Sequence, residues 1–393
     1  NAVGRRCSMK NLETLIQELC PDGVEFVKLG DVCEIKTGKG ITQKDCSESS
    51  KYPVYSGGKE PMGYYKEFNR NANTVTVSRV GAYAGFVNYV TEDFYLNDKC
   101  FSVLPQKDED INSKYLYYKL KALECSIINM QSGGGVPTIN TKKVGSLEIP
   151  LPPIEVQTEI VRILDKFTSL EAELEAELDC RKRQYEYYRD KLLSFDNVGG
   201  QEVEWKKMSE VSFYPKTRID ASELSDNSYI GVENLLKDKL GRTDSTVKPE
   251  GSVIQFVEKD ILIGNIRPYL RKIWKSDCKG GTNGDVLCIR VKVPSEVSAD
   301  YLFHILSSEK FFLYDIKNSK GAKMPRGDKS AVMDFEIPIP SLEEQHSIVS
   351  ILDRFESLTT SLQSGLPAEI AARRQQYEHY RDKLLTFKRK GAA

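Results

Sequence analysis

The stretch QYEYYRDKLLSF occupies residues 184–195, and QYEHYRDKLLTF occupies residues 376–387, so ten of twelve residues agree at two places 192 positions apart. The similarity extends upstream, where EIPLPPIEVQTEIVRILDKFTSL (148–170) aligns with EIPIPSLEEQHSIVSILDRFESL (336–358). These paired segments indicate that a large part of the chain is written twice.

Weaker matches extend the repeat toward the start of each copy. KYLYYKL (114–120) aligns with DYLFHIL (300–306), and GVEFVKLGDV (23–32) aligns with EVEWKKMSEV (202–211). The repeating unit is therefore roughly 190 residues long, far longer than the repeat of a solenoid, and this indicates a tandem duplication. Similarity is strong in the last part of each copy and weak elsewhere, so the two copies keep one part and vary the other.

The similar part of each copy predicts a long helix. Apolar residues recur there in steps of three and four, which is typical of a narrow helical stripe. In the first copy the stripe consists of Ile160, Ile163, Phe167, Leu170, Leu174, Leu178, Tyr185, Tyr188, Leu192 and Phe195. We predict conserved long helices in segments 151–198 and 340–390, each about 60 Å long.

A helix of this length cannot bury its apolar stripe alone, and its duplicate is the simplest partner. Because the first helix leads from one globular part to the other, the second must return, which predicts an antiparallel two-helix coiled coil. The alternative is that each helix packs on its own domain. Gly365 and Pro367 interrupt the second helix pattern, so we expect a kink or break there.

The remaining segments, 9–150 and 199–339, predict two mixed domains, the first with a short N-terminal helix. Short apolar or alternating runs such as TVTVSRV and DILIGNI indicate strands, while SKYLYYKLKAL and SADYLFHILSS indicate helices with serine caps. The predicted fold class is α/β (α+β): two globular mixed domains separated by a long antiparallel coiled coil, with pseudo-two-fold internal duplication.

Composition limits the class of protein. Of 393 residues, 40% are hydrophobic and 29% charged, with a net charge of −1, so attraction to nucleic acid must come from local patches. No apolar run is long enough to span a membrane. The nine cysteines form no C-x-x-C pair, and we interpret them as free thiols of a reducing cytoplasm.

Basic and aromatic residues concentrate in loops of the globular segments. GNIRPYLRKIWK (264–275) contains no acidic residue, and KNSKGAKMPRGDK (317–329) contains one. Such loops fit phosphate contacts and base-edge readout, although a solvated lysine-rich surface is the alternative. The candidate DNA-binding residues are Lys36, Lys39, Ser56, Arg79, Tyr83, Lys216, Arg218, Arg267, Tyr269, Arg271, Lys323, Arg326 and Lys329.

The sequence contains no motif that requires catalysis or a metal. The phosphate-loop, HExxH and GxSxG patterns are absent, and the three histidines are interpreted as surface or packing residues. Pro21-Asp22 followed by Glu34-Ile35-Lys36 resembles the PD…ExK pattern of metal-dependent nucleases. The aligned stretch of the second copy lacks ExK, so we predict no catalytic or metal site.

At the segments IPLPPIEVQTEIVRILDKF (149–167) and IPIPSLEEQHSIVSILDRF (337–355), the chain resembles the specificity (S) subunit of Type I restriction–modification systems. LEAELEAEL (170–178) is similar to the tetrapeptide repeat in the central conserved region of some members. The resemblance covers nearly everything from Met9 to about Lys390, and in the globular halves it concerns architecture alone.

The resemblance implies a non-catalytic DNA-reading subunit. Each globular half would be a target recognition domain for one half of a bipartite double-stranded target, and the helices would set the gap. Two modification subunits and the restriction subunits would be partners, and S-adenosylmethionine, ATP and Mg²⁺ would belong to those partners, with no cofactor in this chain. The implied partner-binding residues are Gln157, Tyr188, Arg189, Gln345, Tyr380 and Arg381.

Two alternatives remain open from the residues alone. One is a protein scaffold that never touches DNA, and the other is a metal-dependent nuclease acting alone. For Tyr185 and Tyr377 of the repeated dodecapeptide, a role in the coiled-coil interface is as good an explanation as partner binding, and it is a weaker explanation for the Arg-Asp pair beside them.

Overall fold

The computed structural model describes residues 12–132, 135–195, 203–245, 247, 249–360 and 365–391. The chain divides into two compact units by contact. Unit 1 comprises Asn1–Glu173 and Ala371–Ala393, and unit 2 comprises Leu174–Ile370. Each unit thus combines one globular half with segments of both helical regions, whereas the predicted division follows the ends of the helices.

Unit 1 begins with a helix over residues 12–19, here α1. Its strands are β1 (Glu25–Lys28), β2 (Cys33–Thr37), β3 (Tyr52–Tyr55), β4 (Tyr64–Tyr65), β5 (Thr74–Ser78), β6 (Val87–Val90), β7 (Tyr95–Leu96), β8 (Cys100–Pro105) and β9 (Glu148–Leu151). Its further helices are α2 (Leu29–Val32), α3 (Ser113–Ala122), α4 (Glu124–Ile128) and α5 (Thr141–Gly145), followed by the start of α6 (Ile154–Ser194).

The strands of unit 1 form three sheets. The main sheet is antiparallel with the order β2-β8-β5-β6, and its inner strand β5 is buried along its whole length. Its first four residues, Thr74–Val77, are all β-branched, and such residues are enriched in strands. A smaller sheet has the order β4-β3-β7, and β1 pairs with β9. Helix α3 packs on the main sheet and is capped by Asn112, not by the predicted Ser113, because the Asn112 side chain accepts from Lys114 N and Tyr115 N.

Unit 2 repeats this order of elements after the last residues of α6. Its strands are β10 (Glu204–Lys207), β11 (Ser212–Phe213), β12 (Arg218–Asp220), β13 (Tyr229–Ile230), β14 (Ser252–Phe256), β15 (Ile261–Gly264), β16 (Ile273–Lys275), β17 (Gly280–Thr282), β18 (Val286–Val291) and β19 (Glu336–Ile339). Its helices are α7 (Met208–Val211), α8 (Ala299–Leu306), α9 (Glu309–Asn318), α10 (Lys329–Asp334) and α11 (Leu342–Thr360).

The sheets of unit 2 correspond to those of unit 1. The antiparallel order β11-β18-β15-β16 matches the main sheet, and the pair β10-β19 matches β1-β9. The remaining sheet, β12-β14-β17-β13, keeps the parallel pairing at its end but is built on one more strand. The predicted strand DILIGNI and the serine cap at Ser298 are confirmed.

The first long helix is confirmed as one continuous element of 41 residues, α6. In unit 1 its first half packs antiparallel to α12 (Gly365–Leu384): the rings of Phe167 and Tyr380 stack at 5.4 Å, and Arg374 Nε lies 2.5 Å from Glu171 Oε1. In unit 2 its second half packs on α11, where Tyr188 stacks on Phe355 at 5.8 Å. The helices therefore pair antiparallel within each unit.

At the start of each helical region the helix also packs on its own globular half, which was the alternative to helix pairing. Tyr118 of α3 donates to Asp165 of α6 at 2.6 Å, and His304 Nε2 of α8 lies 2.8 Å from Asp353 Oδ1 of α11. Each long helix thus shares its stripe between its own globular half and an antiparallel helix. In the second region α11 is described to Thr360 and α12 from Gly365, and residues 361–364 lie outside the described residues. The φ of +79° at Gly365 is left-handed, which agrees with the break expected at this glycine.

Among the described residues, no helix is both long enough and apolar enough to cross a lipid bilayer.

Candidate nucleic-acid interface

Both units build the same pair of loops at one end of the main sheet. The apex loop (79–86 in unit 1, 265–272 in unit 2) joins β5 to β6 and β15 to β16. The hairpin loop (132–138 in unit 1, where 133 and 134 lie outside the described residues, and 320–326 in unit 2) is closed by a bridge of its end residues, Ser132 with Thr138 and Lys320 with Arg326. We refer to each combination as the paired loops.

The paired loops are joined by equivalent hydrogen bonds. In unit 1, Gly81 N donates to Pro137 O at 3.0 Å and Ile139 N donates to Arg79 O at 2.8 Å. In unit 2, Arg267 N donates to Pro325 O at 2.7 Å and Gly327 N donates to Asn265 O at 3.0 Å. The backbone frame is therefore repeated, while the side chains that it presents differ between the units.

A helix with a side-chain N-cap follows each hairpin loop in the sequence. The Asn140 side chain accepts from Lys142 N at 2.8 Å and begins α5, and Asp328 accepts from Ser330 N at 2.9 Å and begins α10. Short polar side chains at this position satisfy the unpaired amides of a helix start. Strands β9 and β19 come next, so the paired loops are anchored to the part of each copy that the sequence keeps similar.

In unit 1 the candidates Arg79 and Tyr83 belong to the apex loop. Arg79 lines a cleft of about 370 Å³ together with Lys143 and the hydroxyl groups of Thr37, Ser132, Thr138 and Thr141. Tyr83 is 48% exposed, and Lys59 Nζ lies 5.4 Å from the centroid of its ring. Two cations with several hydroxyl groups suit a phosphate or a base edge.

The other candidates of unit 1 lie on nearby segments. Lys36 is an exposed residue of β2 whose charge is paired with Glu34 at 2.7 Å, and Thr37 beside it reaches the cleft. Lys39 is exposed, and its backbone amide donates to Leu96 O at 3.0 Å. Ser56 is half-buried directly after β3, and its carbonyl accepts from the thiol of Cys100. Ser56 therefore presents less surface than the lysines.

In unit 2 three candidates belong to the apex loop. Arg267 is exposed, and its backbone has a φ of 54°, a left-handed conformation that arginine rarely adopts. Tyr269 is 50% exposed. Arg271 is also left-handed, but its guanidinium is paired with Glu309 at 2.6 Å, so its charge is partly neutralised.

The other candidates of unit 2 divide into two sets. Lys323 and Arg326 lie on the hairpin loop, with Arg326 paired to Asp285 at 3.1 Å, and Lys329 is the exposed first residue of α10. Thus the two segments marked by their basic composition meet in one surface. Arg218 lies in β12, in the other sheet, where its Nε donates to Ser252 Oγ at 3.1 Å, and Lys216 precedes it on an exposed segment.

A buried polar cluster lies under the paired loops of unit 2. Asp315 of α9 is 1% exposed, and burial raises the pKa of its carboxyl group to about 6. Neither carboxylate oxygen, nor the side-chain oxygen of the buried Asn265, has a hydrogen-bond partner among the described residues. A β-carbon at Gly327 would lie 2.6 Å from Asp315 Oδ1 and 2.8 Å from Asn265 Oδ1, so only glycine fits at this junction.

For the nuclease alternative, the described residues show that Lys36 is paired with Glu34 at 2.7 Å. A group of three possible metal ligands within the described residues is His304, Asp353 and Glu356. His304 is buried and makes the same contact between helices as Tyr118 makes to Asp165 in unit 1, which fits its interpretation as a packing residue.

Two of the implied partner-binding residues are buried and hold the fold together. Gln157 accepts from Asn112 N at 2.9 Å and donates to Asp110 O and Pro152 O at 2.8 Å each. Gln345 makes the equivalent bonds, accepting from Ser298 N and donating to Glu296 O and Pro340 O. Both side chains are fully buried with these bonds made inside their own unit, and partner binding by them stays a prediction.

The arginines of the repeated dodecapeptide adopt one geometry in both units. Arg189 pairs with Asp190 at 3.0 Å and lies 5.5 Å from the ring of Tyr185, and Arg381 pairs with Asp382 at 2.8 Å. Arg189 is 1% exposed. Burial, followed by the repulsion of Arg189, lowers the pKa of Lys239 to about 8. Arg189 therefore faces the interior of unit 2.

The tyrosines lie mainly in the helix interfaces. Tyr380 is half-buried on Phe167, and Tyr185 and Tyr377 pack against the apolar cores of their units. Tyr188 keeps 38% of its surface exposed beside Phe355. This packing of Tyr185 and Tyr377 agrees with the interface explanation, and partner binding by Tyr188, Arg189, Tyr380 and Arg381 stays a prediction.

Sequence reasoning missed two cations of unit 1, Lys59 and Lys143. Lys143 lines the cleft of Arg79, and Lys59 lies over the ring of Tyr83. The signal for Lys143 was the pair Lys142-Lys143, separated by four residues from the aligned segment EIPL that begins at Glu148. Lys59 has no comparable signal, because nothing in the turn YSGGKE indicates that it lies beside the apex loop.

Two α/β units that repeat one loop frame and vary the cationic side chains on it are typical of a duplicated nucleic-acid-binding protein. The model of the family described as Type I restriction modification DNA specificity domain matches the chain twice, over residues 21–179 and 202–372. The chain therefore belongs to this family, as a specificity subunit with two DNA specificity domains whose function is DNA recognition.

Individual relatives agree with this assignment. The specificity subunit of the type I restriction enzyme EcoR124I/EcoR124II of Escherichia coli is 30% identical over 412 residues, covering 96% of this chain and 97% of that protein. The S subunit of the type I restriction–modification system of M. genitalium has a similar fold, with a TM-score of 0.57 at 16% identity over 92% of this chain and 96% of the other.

A second solved structure, from work on the assembly and conformational transition of the type I restriction–modification system, has a TM-score of 0.56 at 16% identity, over 92% of this chain and 97% of the other. At this level of identity both structural likenesses concern the fold alone.

Proposed function

We propose that each unit reads one half of a bipartite double-stranded DNA target through its paired loops. The repeated backbone frame carries this proposal, because its equivalent hydrogen bonds present different side chains in the two units. Position 81 is glycine where position 267 is arginine, and position 138 is threonine where position 326 is arginine. Different side chains on one frame suit two different half-sequences.

The antiparallel helix segments would set the gap between the half-sequences. They would also bind two modification subunits, because the repeated dodecapeptide offers the same surface twice. Tyr188 and the half-buried Tyr380 and Arg381 retain exposed surface for this contact. Restriction subunits would join for cleavage, and the complex would act in the cytoplasm.

The chain itself would be non-catalytic. S-adenosylmethionine, ATP and Mg²⁺ would be bound by the modification and restriction subunits, and this chain would supply no ligand to them. This is supported by the chain's similarity to specificity subunits over nearly its whole length. The scaffold alternative differs in one testable respect, since it requires no contact between the paired loops and DNA.

The test is the salt dependence of DNA binding by the chain assembled with its modification subunits. Arg267 and Lys323 of the paired loops, and Lys329 at the start of the helix that follows the hairpin loop, are exposed and form no ion pair within the described residues. Replacing all three with alanine should lower the slope of log affinity against log salt by about 2 to 3, because each phosphate contact contributes about 0.9.

The matched control is the alanine triple variant of Lys237, Lys259 and Lys279, which are exposed lysines of unit 2 outside the paired loops. This control should keep the slope of the unaltered complex. Binding that is independent of salt, or equal slopes for both triple variants, would contradict DNA contact by the paired loops.

A further inference from the structure

Each hairpin loop exposes one apolar residue at the same position. Val136 is 61% exposed and Met324 is 51% exposed, although both lie among polar and basic residues. Both hairpin loops span seven residues, SGGGVPT in unit 1 and KGAKMPR in unit 2, and the apolar residue is the fifth in each. A single exposed apolar side chain is common on a protein surface, but these two recur at the same position of a repeated loop, which is the observation that needs an explanation.

The backbone on either side fixes both apolar residues. Each precedes a proline, which restricts it mainly to extended conformations. The carbonyl of that proline accepts the hydrogen bond from the apex loop, Gly81 N to Pro137 O at 3.0 Å and Arg267 N to Pro325 O at 2.7 Å. Val136 and Met324 are thus held beside the junction of the paired loops, which lowers the entropic cost of placing them against a ligand.

An exposed tyrosine accompanies each apolar residue. Tyr83 and Tyr269 lie two residues beyond the amides that bond to the prolines, and each is about half exposed. Cations surround the same junction, Arg79 and Lys143 in unit 1 and Arg267, Lys320 and Arg326 in unit 2. The cations suit phosphates, but a valine or a methionine side chain has neither a charge nor a hydrogen-bond donor with which to bind a phosphate.

We propose that Val136 and Met324 are specificity-determining residues that contact the 5-methyl group of a thymine in the major groove, one in each half of the target. The thymine methyl is the one apolar group that base edges present there, and apolar side-chain groups contact it. This inference rests on the proposed function. It assigns base readout to the hairpin loops and phosphate contacts to the cations around them.

The test removes only the methyl group from the DNA. The assembled complex is measured on target duplexes in which each thymine in turn is replaced by deoxyuridine. One substitution in each half should weaken binding by about three- to fivefold, the effect of one buried methyl group. The variant Val136→Asn carries a polar amide and no methyl group, so it should lose this sensitivity in one half, while Met324→Gln should lose it in the other half.

Each variant is the control for the other, because the half read by the unaltered unit should keep its deoxyuridine response. A half-sequence without any A·T pair, or a wild-type complex insensitive to every deoxyuridine, would overturn the inference and leave DNA reading intact. If the wild-type complex showed no sequence-specific binding at all, this result would instead contradict the proposed function.

Discussion

The carboxyl group of Asp315 determines how the paired loops of unit 2 respond to pH. Its oxygens are buried without a hydrogen-bond partner, and burial raises its pKa from 3.8 to about 6. For an acid with a raised pKa, the folded state is favoured below the unfolded pKa, and this advantage is lost as the pH rises through about 6. At neutral pH the cluster under the loops therefore carries an unfavourable charge.

Asp315→Asn should stabilise the protein, and more so at high pH. We expect a gain of about 3 kcal/mol in the free energy of unfolding at pH 8, and about 1 to 2 kcal/mol less at pH 5. Denaturant unfolding at both pH values measures the difference. Glu258→Gln, at an exposed position of unit 2, is the control and should show no comparable gain. An equal gain at both pH values would contradict the buried charge.

Identity between the two copies marked residues with a role, but it did not show whether that role is in folding or in binding a partner. Gln157 and Gln345 recur because each makes three hydrogen bonds to the backbone, and sequence alone does not separate this from partner binding. The candidates Arg267, Tyr269, Lys323 and Arg326 do meet in one surface, because local composition marked both loops. The left-handed backbone of Arg267 and the bridged backbone of Arg326 are set by tertiary contacts, which leave no periodic signal in the sequence.

The elements that could be predicted are those with strong local patterns. β5, β15, α3, α8 and the 41-residue α6 follow from alternation or from steps of three and four. The pairing of β1 with β9, and of β10 with β19, joins the two ends of each globular half. Such a long-range contact leaves no periodic signal, so its register required the structure.

The break between α11 and α12 depends on a glycine. Gly365 has a φ of +79°, and a β-carbon there would lie 2.8 Å from the carbonyl oxygens of Ser357 and Leu358. Gly365→Ala should therefore destabilise unit 2 by about 1 kcal/mol or more, because it adds both backbone strain and a contact with rigid backbone.

The control for this prediction is Gly284→Ala. Its β-carbon would meet no atom within 4 Å and its φ lies outside the left-handed region, so stability should change little. Thermal unfolding of both variants provides the measurement. Equal melting temperatures for Gly365→Ala and the wild-type protein would show that the helix break does not need glycine.

For the whole molecule, the length of α6 should control the gap in the target. Residues 170–178 repeat the tetrapeptide LEAE, and four residues add about 6 Å of helix while keeping the apolar stripe nearly in phase. Deleting residues 174–177 should narrow the permitted gap by about one or two base pairs. Both half-sequences should stay the same, since the paired loops are untouched. An altered half-sequence would contradict the role of the helix as a spacer.

The most direct test of the account is to map methylated adenines in DNA from cells that express this chain with its modification subunits. Two units with one frame and different side chains predict a single bipartite target, with two unlike specified halves and an unspecified gap of constant length. Methylation confined to one continuous sequence, or at halves separated by freely varying gaps, would contradict the claim that each unit reads its own half.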